Sequence, residues 1–76
     1  MTISKLQVGQ TRVVKGLRLP PGEAAWLRAV GLYEGVSVTP LRFGPFRGPV
    51  HLRTSTGAEL AIDFDLAQAV DLGDLP

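Results

Sequence analysis

The chain has 76 residues, no cysteine, 45% hydrophobic and 20% charged residues, and a formal net charge of +1. A chain this short buries only about 60% of its unfolded surface, so one small domain over residues 1–76 is expected, with a small core. The composition excludes a disordered chain, a disulfide scaffold and a thiolate metal site. With no apolar run near the roughly 20 residues that span a bilayer and no signal-peptide block, a soluble cytoplasmic protein without membrane insertion is expected. The charge is unevenly placed: residues 1–53 hold all eight Lys/Arg and two acids, while residues 54–76 hold five acids and no base. Either the two segments pair internally on a solvated surface, or a basic and an acidic patch face different partners.

Taken in order, Leu6-Gln7-Val8-Gly9 reads as a lead-in with two apolar anchors before a glycine turn. Thr11–Leu17 reads as a strand, although adjacent Val13 and Val14 leave its inward face open. Leu19-Pro20-Pro21-Gly22 breaks that strand and launches a helix, with Pro21 in the first turn and Glu23 near the positive end of the dipole. Trp26, Leu27 and Val30 are spaced to share one helical face. Gly31 fits the left-handed stop, and Leu32 can fold back on Leu27 as in a Schellman ending. Gly35 then permits a second tight turn.

Val36 and Val38 alternate with polar residues, but after Pro40 the apolar positions become Leu41 and Phe43. Keeping all four on one face demands an extra residue near Pro40, so a bulge at an interrupted or edge position is predicted. Residues 44–49 form a loop in which Phe46 either covers the end of a barrel or meets a partner. Val50 to Phe64 reads as a hairpin. Matching faces pairs Leu52 with Leu60 and Val50 with Ile62, leaves Ser55-Thr56-Gly57 as a three-residue loop, and sets Arg53 opposite Glu59. Residues 65–69 suit one helical turn capped by Asp65; Val70 and Leu72 suit a last strand that closes the sheet, followed by a loose tail from Gly73 to Pro76. The fold class is therefore mostly β: a small barrel of about five short strands with a short helix inserted after the first. Leu27, Gly31, Leu52, Leu60 and Ile62 are expected to be structural.

The chemistry-bearing residues are few. His51 is the single histidine, and no nucleophile elbow or oxyanion glycine motif surrounds Ser55 or Asp63, so no catalytic residue and no enzyme is expected. His51 and Asp63 are weak candidates for a metal site, because one imidazole falls short of the usual His or Cys clusters. The glycines form no phosphate loop, and no cofactor is expected. Arg42, Arg47 and Arg53 could line one face for nucleic acid, but Phe46 is the one aromatic near them where stacking platforms use several, so no nucleic acid is expected. A binding module remains, with Arg28, Tyr33 and Glu34 beside the helix end, and Phe46 and Arg47 in the loop, as candidate partner-binding residues. Tyr33 either faces a partner or packs over the barrel end.

These residues carry a family pattern. Leu6-x-x-Gly9-Gln10, Leu27-x-x-x-Gly31-Leu32-x-x-Gly35, Val36-x-Val38, Pro49 to Leu52, Gly57, and Ala67-x-x-Val70-x-Leu72 together resemble the FeoA family of ferrous iron transport. The resemblance implies an SH3-like barrel with a helical insertion. It also implies a non-enzymatic cytoplasmic accessory protein that binds the FeoB-type GTPase and ferrous iron permease and supports or regulates iron uptake. Self-association and a general interaction module unrelated to iron stay open beside it. The sequence departs from the pattern at Glu34, where a proline is common, at Gly48, where an acid is common, and at Asp63 and Asp65, where bases are common. A related domain ends the iron- and manganese-dependent repressors behind a DNA-binding helix-turn-helix. No such segment is present here, so a repressor is not expected.

Overall fold

The structure is a computed structural model that describes residues 1–73. After a 3-10 turn at Ile3–Lys5 come β1 (Arg12–Val13), β2 (Gly16–Leu17), α1 (Pro21–Ala29), β3 (Ser37–Phe43), β4 (Val50–Thr54), β5 (Glu59–Ile62), α2 (Phe64–Ala69) and β6 (Val70–Asp71). The strands form a four-stranded antiparallel sheet in the order β1-β3-β4-β5 and a two-stranded antiparallel pair of β2 with β6. The fold is thus mostly β, as the sequence predicts, with the differences below.

The single strand expected over residues 11–17 is two strands in two sheets. The chain crosses between them at Val14 and Lys15. The Val14 N–H donates to the Val36 carbonyl at 2.8 Å, and the Lys15 N–H to the Asp71 carbonyl at 2.7 Å. One short segment therefore serves both sheets and bends around the core they share. The crossing settles the Val13–Val14 ambiguity: Val14 is buried and Val13 is exposed. It also makes β6 close on β2 rather than on the larger sheet, and places α1 after the second strand rather than the first.

Of the two apolar anchors expected in the lead-in, Leu6 is buried in the core but Val8 is not, and Ile3 takes the second place. Ile3 is fully buried on the 3-10 turn, whereas Val8 is 61% exposed at the tip of a turn. The Gln10 N–H closes that turn on the Gln7 carbonyl at 3.0 Å, and the Gln10 side-chain oxygen accepts from the Gln7 N–H at 3.1 Å.

In β3 the predicted bulge lies between Pro40 and Arg42. Leu41 is the extra residue, so Pro40, not Leu41, faces the core with Val38. Phe43 returns to the inward face opposite Val50. Pro40 is tolerated because β1 pairs only with Ser37 and Val38. The Pro40 carbonyl accepts from the Gly9 N–H at 2.9 Å on that same side, where no strand demands the N–H that proline lacks.

The β4–β5 hairpin follows the predicted register: Leu52 lies opposite Leu60, Val50 opposite Ile62, and Arg53 opposite Glu59. The Thr54 N–H donates to the Ala58 carbonyl at 2.8 Å, and Gly57 has φ +90. That left-handed residue is what a three-residue hairpin loop requires. The helical turn after β5 begins one residue earlier than expected, and its cap is Asp63 rather than Asp65. The Asp63 carboxylate accepts from the Leu66 N–H at 2.8 Å. The last part of the expected tail, residues 74–76, lies outside the described residues.

Helix α1 ends as its sequence predicts. The Leu32 N–H reaches the Leu27 carbonyl at 2.9 Å and the Gly31 N–H the Arg28 carbonyl at 3.2 Å, with Gly31 at φ +104. These two bonds satisfy carbonyls that the helix end would otherwise leave open, and they bring Leu32 under the helix onto Leu27. Both leucines are fully buried, and each stabilises the fold by about 2 kcal/mol. The core they enter joins the inward residues of both sheets, such as Val14, Val38, Leu52 and Ile62, to Ala67 of α2 and Val70 of β6.

Candidate functional site

The five candidate partner residues fall into two groups at opposite ends of β4. Arg28, Tyr33 and Glu34 lie at the C-terminal end of α1, next to the β4–β5 loop, where the Thr56 hydroxyl donates to the Gly31 carbonyl at 3.2 Å. Phe46 and Arg47 lie in the loop that enters β4 at its other end. A five-residue strand separates the two by roughly 15 Å, so the groups form separate surfaces.

At the helix end, an Arg28 guanidinium N–H donates to the Glu34 carboxylate at 2.9 Å, with both side chains about half exposed. This hydrogen bond from Arg28 holds the Glu34 carboxyl below its ordinary range. Glu34 reaches Arg28 because the chain reverses at Gly31, φ +104, which lies between them. Tyr33 is 39% exposed, between a purely buried and a purely partner-facing ring.

The loop at residues 44–49 is closed at its base by the Gly44 N–H donating to the Pro49 carbonyl at 2.8 Å. At its tip the Gly48 N–H donates to the Pro45 carbonyl at 3.0 Å, with Phe46 at φ 56 and Arg47 at φ 59. Two successive positive-φ residues are the pattern of a type I′ turn, which normally carries Asn and Gly. Phe and Arg in those places cost roughly 1–2 kcal/mol each. Phe46 gains no packing in return, because its side chain is fully exposed at 101%. It does not cover the barrel end. Arg47 lies with its guanidinium 4.7 Å from the centroid of the Phe64 ring, a cation–π contact that steadies the loop against the first turn of α2.

The structure adds a surface that the sequence reading missed. A groove of about 410 Å³ lies between α1 and α2, lined by Leu19, Gly22, Glu23, Trp26, Asp63, Asp65 and Leu66. Trp26, expected on the buried helical face with Leu27, is 51% exposed and lines this groove instead. The buried stripe of α1 is Ala24 and Leu27, three apart, and Trp26 sits about 100° around the helix from Leu27. That offset was the available signal. Three carboxylates rim the apolar floor, and no Lys or Arg does.

Internal charge pairing is partial. Asp71 lies 3.6 Å from Arg18 and 3.8 Å from the N-terminal ammonium, while Arg28 pairs with Glu34. Among the described residues, Glu59, Asp63 and Asp65 make no ion pair within 4.0 Å, so Arg53 and Glu59 lie opposite each other without an ion pair. His51 sits on the outer face of β4, across from Arg42 on β3 and Ala61 on β5. Asp63 is engaged as the cap of α2. Among the described residues no three His, Asp or Glu side chains are grouped so as to hold a metal ion, and His51 and Asp63 belong to no such group. No helix is long and apolar enough to cross a membrane.

The comparisons with known proteins agree with this architecture. A solution structure of FeoA from Chlorobium tepidum superposes with a TM-score of 0.86 at 25% identity, over 93% of this chain and 67% of that one. FeoA from Stenotrophomonas maltophilia complexed with zinc, described as a prokaryotic SH3-domain protein and candidate ferrous iron transport activating factor, superposes at 0.78 with 25% identity, over 96% of this chain and 89% of that one. A manganese-dependent transcriptional repressor superposes at 0.85 with 17% identity, over 99% of this chain and 41% of that one, a likeness of fold alone. No curated protein matches. The overall fold is thus shared with FeoA proteins, one of which is described as an SH3-domain protein. The family description "FeoA domain" matches residues 1–72, and the chain belongs to that family.

Proposed function

We propose that this chain is a non-enzymatic cytoplasmic accessory protein of ferrous iron transport that docks on the FeoB-type membrane GTPase and permease and supports or regulates iron uptake. Membership of the FeoA family supports the transport role. The observation that carries docking is Phe46, a fully exposed aromatic held in a backbone conformation that favours glycine or asparagine. Strain at a surface turn without compensating internal contacts is a mark of function. A large apolar ring on a fixed tip is also a low-entropy anchor for a partner pocket. Arg47 beside it supplies a cation. The Arg28–Tyr33–Glu34 surface is the second contact, at the other end of β4.

The test is a titration of the purified cytoplasmic GTPase region of the permease from the same organism, with and without nucleotide. Saturable binding that Phe46→Ala weakens at least tenfold, with an unchanged melting temperature, supports docking through the loop. Tyr33→Ala tests the second surface in the same way. Binding that ignores both substitutions removes these residues from the partner surface. The absence of binding to both the isolated region and the full membrane protein overturns the assignment of partner.

A further inference from the structure

We propose that the groove between α1 and α2 receives the Phe46–Arg47 tip of a second copy of this chain, in a reciprocal, two-fold contact. The groove has an apolar floor of Leu19, Trp26 and Leu66 and a rim of Glu23, Asp63 and Asp65. Its complement is an exposed apolar side chain accompanied by a cation. The chain presents that combination on its own surface: Phe46 is fully exposed, and Arg47 follows it in the same turn.

Position makes the contact a closed one. Arg47 stacks over Phe64, and Phe64 lies between Asp63 and Asp65, which line the groove. Phe64 ties the tip to α2, which lines the groove, so tip and groove lie close together. A two-fold axis can insert each tip into the other copy's groove at once, giving a self-complementary interface that stops at two copies. A tip and a groove on opposite faces would have built an open chain instead.

Charge complementarity decides the occupant. Asp63 and Asp65 make no ion pair within 4.0 Å among the described residues, nor does Arg47. Insertion of a second copy's tip sets one cation against three carboxylates and covers two exposed aromatics, Phe46 and Trp26. The contact rests on one inserted ring and one cation from each copy, so it is expected to be a weak, transient one. Since Phe46 also leads the proposed permease surface, dimer and permease complex exclude one another.

Sedimentation equilibrium up to about 2 mM protein tests this, together with the emission of Trp26, the single tryptophan. The expected result is a monomer–dimer equilibrium in which the Trp26 emission shifts to the blue with concentration, and which high salt weakens. Phe46→Asp abolishes it without lowering the melting temperature. Arg47→Glu and Asp65→Lys each abolish it alone, and an equimolar mixture of the two variants restores it, because only the mixed pair has opposite charges at both contacts. A monomer throughout the range overturns the proposal, as does a dimer indifferent to Phe46→Asp or a mixture that stays monomeric. The permease titration, run at low micromolar protein where the chain is monomeric, succeeds or fails independently.

Discussion

Gly31→Ala is the sharpest probe of how the helix end is held. Gly31 has φ +104, further into positive φ than the left-handed well that L residues occupy at cost. An alanine there stores about 1–2 kcal/mol of backbone strain. Its Cβ would also sit 2.8 Å from the Thr56 hydroxyl oxygen and 3.3 Å from the Ala58 Cβ. The Thr56 hydroxyl is already committed, donating to the Gly31 carbonyl at 3.2 Å and bonded to the Thr54 hydroxyl at 2.6 Å. Moving it aside forfeits about 1 kcal/mol of hydrogen bonding. Against this, loss of glycine's freedom in the unfolded chain returns about 0.4–1 kcal/mol. The net is roughly 1–3 kcal/mol destabilising, or a melting temperature lower by about 5–20 °C in a domain of this size. Gly31→Val adds a β-branched side chain to the same space and costs more. Thermal and urea unfolding followed by circular dichroism measure both. A cycle with Thr56→Ala separates the causes. That change removes the hydroxyl obstacle, so the double variant should be at least about 0.5 kcal/mol less destabilised than the sum of the singles. An unchanged melting temperature refutes the left-handed stop, and strict additivity refutes the contact with Thr56.

The remaining predictions concern the surfaces and caps. Phe46→Asn should raise the melting temperature by a few degrees, since asparagine suits φ 56 and relieves up to about 1 kcal/mol, while weakening partner binding. A fall in stability would mean that the ring has packing partners. Asp63→Ala removes the cap of α2 and should cost about 1 kcal/mol, whereas Asp65→Ala should cost less in the same denaturation assay. Leu27→Ala should cost about 2–5 kcal/mol and Trp26→Ala far less, which would invert if Trp26 were the core residue. Glu34 contributes whatever its pairing provides above the ordinary carboxylate range, and that contribution is lost as pH falls through its depressed folded pKa. A carbon-detected NMR titration should find the Glu34 pKa restored towards its ordinary value in Arg28→Ala; no change would remove the guanidinium as the cause.

Local signals were legible in the chain where one short interaction decides the outcome. Gly31 and Leu32 announce a helix stop because the required conformation and the fold-back contact lie within six residues. The hairpin register from Val50 to Ile62 follows from side-chain alternation and a three-residue loop, since a one-residue slip would turn Leu52 and Leu60 outward. The bulge at Pro40 follows from a change of parity, although not the identity of the residue it expels. Tertiary structure decided everything that depends on which distant elements meet. Val14 faces the core because residues 12–17 leave one sheet for another, a choice made by Val36 and Asp71 rather than by local pattern. Trp26 fits a helical face with Val30 on paper, yet Ala24 and Leu27 take the core side once α1 lies against the sheets, and the space beside Trp26 becomes a groove only when α2 docks there. The distribution of charge along the chain was visible at once, but not its pairing. Asp71 found Arg18 and the N-terminus because β6 runs beside β2, while Asp63 and Asp65 were left on an acidic rim by the turn that Asp63 itself caps. Spacing along the sequence specifies conformation, because backbone preferences and nearest contacts act over a few residues. Which faces are buried, and which charges are left without partners, is set by the packing of elements far apart in the chain.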